Sequence, residues 1–463
     1  MQMAIPFWRW LIVSGALLAA PACKKNLAVD PPQDQMTAGK VFADDEGAEA
    51  AMTGYYLDAM NAGRAFLNGG ISLDAGLAAD ELDCTPPYPR DDSFRLNEVL
   101  PMNPINANFF STAYRLLLDV NSVLAGVAGS TGMTVPVKAE LRGEAEFHRA
   151  LLYFHLVNLY GPVPLVVETN YQVNEKLARV SVDSVYAQMV ADLRDASGLL
   201  PADYLAATGY AGNRTRPNRA AALALLARVE LYLGRWAAAD SAASVVIGDG
   251  RYGLEPSLDS IFLATSREAI WQLQPVRGIT ATADGQAFLS LQAAGRPGFF
   301  LTPQLLAAFE PGDARQTHWI RKVVYKGVTY FTPYKYKQLV SAADAEYEMV
   351  LRLAEQYLIR AEARAQEGDV AGGLADLNGV RARAGLGAVT VTEAGDLLAA
   401  IGRERRIELF CEWGHRWMDL KRSGQATAVL GPLKSGWQGS DVLWPIPAAE
   451  LAASPGMAQN PGY

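Results

Sequence analysis

The side chains that could do chemistry in this chain are few: Asp80, Glu81 and Asp83 lie within four positions, and the histidines are His148, His155, His318 and His415. Paired carboxylates could serve glycoside hydrolysis, which needs an acid and a base on opposite sides of a sugar linkage. Neighbours in sequence do not supply that separation, so a solvated loop or a cation contact is the plainer reading of the triplet. His148 and His155 stand seven apart, about 10 Å along a helix, too far for one zinc ion. No His-Glu-x-x-His accompanies them, and His318 and His415 lack neighbours at ligand spacing. There is no phosphate-binding Gly-rich loop and no Gly-x-Ser-x-Gly elbow. Gly385-Leu386-Gly387 lacks its third glycine and follows a helix rather than a strand. The residues predict no catalysis and no cofactor.

Binding chemistry is better represented. Sugar rings stack on aromatic faces and hydrogen-bond through their hydroxyls, so a site needs exposed aromatics beside Asp, Asn, Arg or Gln. Two stretches mix these types. Asp80 to Phe94 holds Tyr88, Arg90, Asp91 and Asp92, and Arg296 to Tyr336 holds Phe299, Phe300, Trp319, Tyr325, Tyr330, Phe331, Tyr334 and Tyr336. The candidate ligand-binding set is Asp80, Tyr88, Arg90, Asp92, Phe299, Trp319, Tyr330 and Tyr334. For any single aromatic, core packing is the commoner role, and Tyr325-Lys326-Gly327 with Tyr330 also reads as a hairpin with half its rings inward. Trp236 and Trp271 are assigned to the core, and Trp413 and Trp417 to packing of a C-terminal helix.

These stretches need a frame, and the frame reads as helical. Apolar residues at three- and four-residue spacing predict helices over 139–160 and 182–199, the second entered through Ser181 and closed near Pro201. Residues 225–247 and 358–381 resemble each other, with Gly234 aligned to Gly368 and Trp236 to Val370. Each predicts a helix, a glycine turn and a second helix rich in small residues, similar to the tetratricopeptide pattern. Residues 61–108 and 249–345 read as loops with a few short strands, including Ile270–Leu273 and Lys322–Tyr325. Segment 96–110 reads as loop before a helix at 111–127, and 399–422 reads as one amphipathic helix with a mixed-charge face.

Composition narrows the class. Half of the 463 residues are apolar and 19% charged, with a formal net charge of -8. That is globular rather than disordered, and it lacks the clustered cations that nucleic acid requires. The apolar run from Trp10 to Ala22 is 13 residues long, against roughly 20 for a bilayer span. It ends in small residues just before Cys23, the pattern of a cleaved export signal whose new N-terminal Cys is acylated. Of the remaining cysteines, Cys84 and Cys411 leave a single disulfide open.

The chain resembles the SusD/RagB family of outer-membrane nutrient-binding lipoproteins. The resemblance rests on Cys23 followed by Asp30-Pro31-Pro32, GEAEFHRALLYFHLVNLYGPVPL at 143–165, LRLAEQYLIRAEARAQEGDVAGGLADLNGVRARAGL at 351–386, RERRIELFCEWGHRWMDLKR at 403–422, and LWPIP with the closing QNPGY. It implies a signal peptide at 1–22 and one domain over 23–463, with an N-terminal part to about 250 and a C-terminal part from about 251. It implies a mostly α fold of about four tetratricopeptide-like helix pairs under an irregular region carrying the ligand site. The implied function is non-catalytic capture of an oligosaccharide or polysaccharide at the outer membrane, the protein facing outward over a SusC-like TonB-dependent transporter. A peptide-binding member of the family and a tetratricopeptide-type envelope scaffold are the alternatives. The aromatic-rich region 249–345, which a pure repeat scaffold would not need, favours capture.

Overall fold

A computed structural model describes residues 37–61, 63–85, 89–204, 214–276, 281–289, 295–339, 345–454 and 456–463, without the side chains of residues 89 and 90. Cys23, the segment 1–22 and Tyr88 lie outside the described residues, as does the side chain of Arg90.

The helices that matter for the site are α1 (Asp45–Ala59), α2 (Gly70–Ala78), α3 (Pro89–Leu96), α4 (Pro104–Gly129), α5 (Val135–Tyr160), α6 (Val182–Leu199), α7 (Arg219–Tyr232), α8 (Trp236–Ile247), α9 (Leu353–Glu367), α10 (Val370–Arg383), α11 (Ala394–Glu408) and α12 (His415–Arg422). They pack in series: α4 on α5, α5 on α6, α6 on α7, α7 on α8, α8 on α9 and α9 on α10, with α11 closing against α9 and α10. The mostly α fold is as expected, and the two look-alike segments are both helical hairpins. Their turns carry Gly234 at φ 68° and Gly368 at φ 86°, the left-handed region in which glycine is favoured.

Helix ends follow local chemistry. Ser181 accepts from the Ser184 N–H at 3.2 Å and opens α6. Asn103 accepts from the Ile105 and Asn106 N–H groups at 2.9 and 3.1 Å, and Pro104 occupies the first turn. The Pro-Asn punctuation read as loop over 96–110 is therefore a helix start. Helix α4 begins seven residues before the expected 111.

The C-terminal signature departs further from expectation. It is two helices, broken after Glu408, with Cys411, Trp413 and Gly414 at φ 53°, 46° and 71°. Tertiary contacts override helix propensity here. The Trp413 indole donates to the Met349 carbonyl at 2.7 Å, and the Trp413 backbone N–H donates to the Ser72 hydroxyl at 3.0 Å. At Gly414 a β-carbon would lie 2.8 Å from that of Ala75 on α2.

The strands are short. Those around the site are β1 (Leu82–Cys84), β2 (Ala269–Leu273), β3 (Phe299–Leu301), β4 (Ile320–Tyr325), β5 (Val328–Pro333) and β6 (Glu348–Arg352), and a further two-residue pair joins Val163–Pro164 to Arg179–Val180. β2 and β6 pair antiparallel and are buried throughout. β4 and β5 form the hairpin read at Tyr325–Tyr330. Its two-residue loop has Lys326 at φ 47° and Gly327 at φ 80°, as a type I′ turn requires. Trp271, Trp319, Trp417 and Trp444 are among the largest fully buried side chains. Trp236 is only half-buried at the edge of the hairpin contact.

The charged face of the signature is largely interior. Glu408 receives Arg352 at 2.6 Å, Arg315 at 2.8 Å and Arg383. Glu412 receives Arg352 at 2.7 Å and Lys335 at 2.5 Å. Glu404, one turn before Glu408, receives Arg315 at 2.6 Å. Spacing of four residues stacks Glu404 and Glu408 on one helical stripe, so a single stripe ties α11 to β6, α10 and the segments around Arg315 and Lys335. Burial penalises these carboxylates, yet the cations outweigh it at Glu408, whose pKa is well below the usual range.

Candidate binding site

The two stretches singled out for binding meet. β1 runs antiparallel to β3, pairing Leu82 with Leu301, Asp83 with Phe300 and Cys84 with Phe299. Side-chain hydroxyls extend the seam at both ends. Thr85 donates to the Pro297 carbonyl at 2.8 Å, and Thr302 donates to the Asp80 carbonyl at 2.6 Å.

Alternation along β3 sends adjacent rings to opposite faces. Phe299 lies 5.9 Å from the Arg64 guanidinium. Arg64 in turn binds Asp74 and, at 2.5 Å, Asp91. Phe300 meets Tyr330 edge to face at 5.0 Å. The Tyr330 hydroxyl accepts from Arg296 Nε at 3.2 Å, with the guanidinium 5.9 Å from the ring. Arg95 bridges Asp92 at 2.8 Å and Asp83 at 3.6 Å. Phe299, Phe300, Tyr330, Arg64, Asp83, Asp92 and Arg95 are all partly exposed, and Arg296 is exposed. The result is a patch that wraps both faces of the seam, with Phe299 and Arg64 on one side and Phe300, Tyr330 and Arg296 on the other. Its ring faces, planar cations and carboxylates are the mixture that grips a sugar or a peptide.

Of the residues singled out, Phe299, Tyr330 and Asp92 fall in this patch. Trp319 does not. It is wholly buried, its indole donating to the Leu258 carbonyl at 3.0 Å, among Phe262, Phe410 and the Lys335 ammonium at 4.7 Å. A large apolar ring at the foot of the hairpin is worth more inside than out. Asp80 is also turned inward. Arg416 Nε holds its Oδ1 at 2.7 Å and Arg406 Nη2 its Oδ2 at 2.6 Å. Burial raises its pKa, but the Arg416 hydrogen bond and both cations outweigh that and keep it below the ordinary value. Tyr334 sits in another neighbourhood, 4.5 Å from Lys337 and 6.0 Å from Arg321. Arg64, Arg95 and Phe300 were not in the set. Phe300 has a signal, since it follows Phe299 in a strand, whereas nothing in sequence joins Arg64 to a ring 235 positions away.

The titratable groups considered at the outset are occupied elsewhere. Glu81 is buried and accepts from the Cys411 N–H at 3.3 Å, and burial with Asp80 beside it lifts its pKa to about 8. His148 lies between the Tyr55 and Tyr56 hydroxyls at 3.1 and 2.8 Å, and burial holds it neutral. Burial lowers His155 to about 3. His318 pairs with Asp259 at 2.9 Å. Cys84 and Cys411 are buried free thiols. Among the described residues, no group of three or more His, Cys, Asp or Glu is placed to hold a metal ion.

The class is a helical platform with an aromatic patch built from loop-borne strands. Residues 308–463 match the family model described as the SusD family, and residues 91–231 match one described as "starch-binding associating with outer membrane". SusD-like protein P2 of Formosa agariphila is 26% identical over 425 residues, covering 78% of this chain and 81% of that protein. SusD-like protein P38 of the same organism is 22% identical over 96% of both. A SusD superfamily protein from Bacteroides vulgatus superposes with a TM-score of 0.80 at 21% identity, covering 91% of this chain and 99% of that one. A laminarin-binding SusD-like protein superposes at 0.73 with 24% identity, covering 90% and 99%. Surface glycan-binding protein A from Bacteroides thetaiotaomicron gives 0.74 at 21% identity, covering 91% and 100%. The chain belongs to the SusD/RagB family.

Proposed function

We propose that this chain is a non-catalytic binding protein, anchored to the outer membrane through acylated Cys23, that captures an oligosaccharide or polysaccharide for a SusC-like TonB-dependent transporter. The observation that carries the reading is the seam between β1 and β3. It carries Phe299 with Arg64 on one face and Phe300 and Tyr330 with Arg296 on the other, and Arg95 lies beside it against Asp83 and Asp92. Rings supply stacking faces, and fixed guanidinium and carboxylate groups supply hydrogen bonds to hydroxyls. The names of the relatives that bind laminarin and surface glycans point the same way. In this reading the helix pairs act as a rigid frame, part of which docks on the transporter, and the whole of residues 23–463 acts as one domain. Tyr88 and Arg90, next to β1 in sequence, complete the ligand set.

The test is calorimetry and retardation gels of the full chain in detergent against neutral polysaccharides and peptides, repeated with Phe299→Ala and Tyr330→Ala. Loss of binding in both variants at unchanged circular dichroism supports capture at this patch. Peptides binding where glycans do not would assign the site to the peptide-binding members. Absence of any saturable ligand, with pull-down of envelope proteins intact, would favour the scaffold.

A further inference from the structure

Arg406 and Arg416, which hold Asp80, also line a cleft of about 530 Å³ between α9, α11 and α12. Its size is within the range of about 300–1,000 Å³ typical of small-ligand sites. Five guanidinium groups line it, those of Arg403, Arg405, Arg406, Arg416 and Arg422. The facing carboxylates are fewer. Arg405 and Arg422 share Asp419, at 2.8 and 2.7 Å, and Arg422 also holds Glu362 at 2.5 Å. Arg406 and Arg416 divide the single carboxylate of Asp80. Arg403 is exposed with no hydrogen bond or ion pair among the described residues. The nearby Glu310, across the neighbouring groove, is already bound by Arg381 at 2.6 Å.

Five cations against Asp80, Asp419 and Glu362 leave a local excess of positive charge in a chain whose formal net charge is -8. Arg405 Nη1 and Arg406 Nε have no hydrogen-bond partner among the described residues and are shut off from solvent, so they add uncompensated charge behind the cleft wall rather than contacts within it. An oxyanion is the group that matches clustered guanidinium forks. Burial together with the neighbouring Arg416 lowers the pKa of Arg406 despite Asp80, consistent with too little negative charge around it.

We infer that this cleft is an oxyanion-binding site, separate from the aromatic patch, for a small ligand of sugar size bearing a carboxylate, sulfate or phosphate. Gln366, Ser423 and Gln425 on its walls provide neutral donors and acceptors for the rest of such a ligand. The inference does not depend on glycan capture at Phe299 and Tyr330.

The experiment is calorimetric titration of the full chain in detergent, at constant ionic strength, with glucuronate, glucose 6-sulfate, inorganic sulfate and glucose. Arg403→Glu and Gly402→Glu add negative charge at the rim. Arg403 is exposed and a β-carbon at Gly402 meets nothing within 4 Å, so both variants are expected to keep the fold. The expected result is saturable binding of the anions and none of glucose, weakened at least tenfold in each variant, with circular dichroism and binding at the aromatic patch unchanged. Glucose 6-sulfate binding more tightly than inorganic sulfate identifies a sugar acid as the ligand, and equal affinity identifies a free anion. Absence of anion binding, equal binding of glucose, or wild-type affinity in both variants overturns the inference. So does anion binding that is lost in Phe299→Ala but kept in Arg403→Glu, which would place the anion on the aromatic patch.

Discussion

Arg416 Nε lies 2.7 Å from Asp80 Oδ1, joining residues 336 positions apart. Because Asp80 immediately precedes Glu81 and β1, this contact and its companion from Arg406 fasten the β1–β3 seam to the C-terminal signature. Replacing Asp80 with Ala leaves two partly buried guanidinium groups without their shared carboxylate. Breaking such a buried pair costs about 3–5 kcal/mol. Asp80→Ala is expected to lower the urea midpoint accordingly and to weaken glycan binding without touching a ligand. An unchanged midpoint would show that the anchor carries no stability.

Trp319 and Phe299 separate packing from recognition. Trp319→Ala opens a cavity in the core and is expected to cost about 3–5 kcal/mol of stability, read as a lower denaturant midpoint. Phe299→Ala removes a partly exposed ring. It is expected to leave the midpoint nearly unchanged while weakening glycan binding roughly tenfold, about 1.4 kcal/mol. Reversal of the two phenotypes would return Trp319 to the ligand.

Glu408 is the hub of the interior charges, touching Arg315, Arg352 and Arg383. Glu408→Ala takes one carboxylate from three buried cations, which keep Asp313, Glu404, Glu412 and Glu268 as other partners. The expected outcome is a loss of about 3–5 kcal/mol of stability, the scale of one broken buried pair. Thermal unfolding followed by circular dichroism measures it, and a melting curve like that of the unaltered chain would refute the assignment.

Glu81 gives the protein a dependence on pH. Burial, with Asp80 beside it, lifts its pKa from 4.5 to about 8, so between those values the folded chain keeps a proton that the unfolded chain loses. Its contribution to stability is full below pH 4.5 and falls as pH rises toward 8, by at most about 1.4 kcal/mol per pH unit. Glu81→Gln, which cannot ionise, is expected to lower the slope of the stability profile measured by urea unfolding between pH 5 and 8, leaving the part due to Glu140, Glu146 and Glu348, each raised by burial to about 7. The same slope in the variant and the parent would exclude Glu81 as its source.

Helix α6 is legible to the residue in the sequence, because Ser181 and Pro201 bracket an unbroken apolar stripe. The glycine turns at Gly234 and Gly368 are legible for the same local reason, and so is the Lys326-Gly327 hairpin. The break after Glu408 is not, since it arises from Ser72, Ala75 and Met349 pressing on Trp413 and Gly414. The ligand set divides along the same line. Composition located the two segments and named Phe299 and Tyr330, but an aromatic residue alone does not reveal which way it points, so Trp319 read as surface. Ion-pair partners of Asp80 more than 300 positions away leave no mark at all in its neighbourhood.

The seam has a consequence for fragments of the chain. Thr85 reaches across 212 positions to Pro297, and the anchoring arginines come later still. A chain cut at its midpoint therefore holds several helices of the frame but lacks β3, the β4–β5 hairpin and the arginines that hold Asp80. The seam is complete only when both halves of the chain are present, so a fragment of either half lacks it.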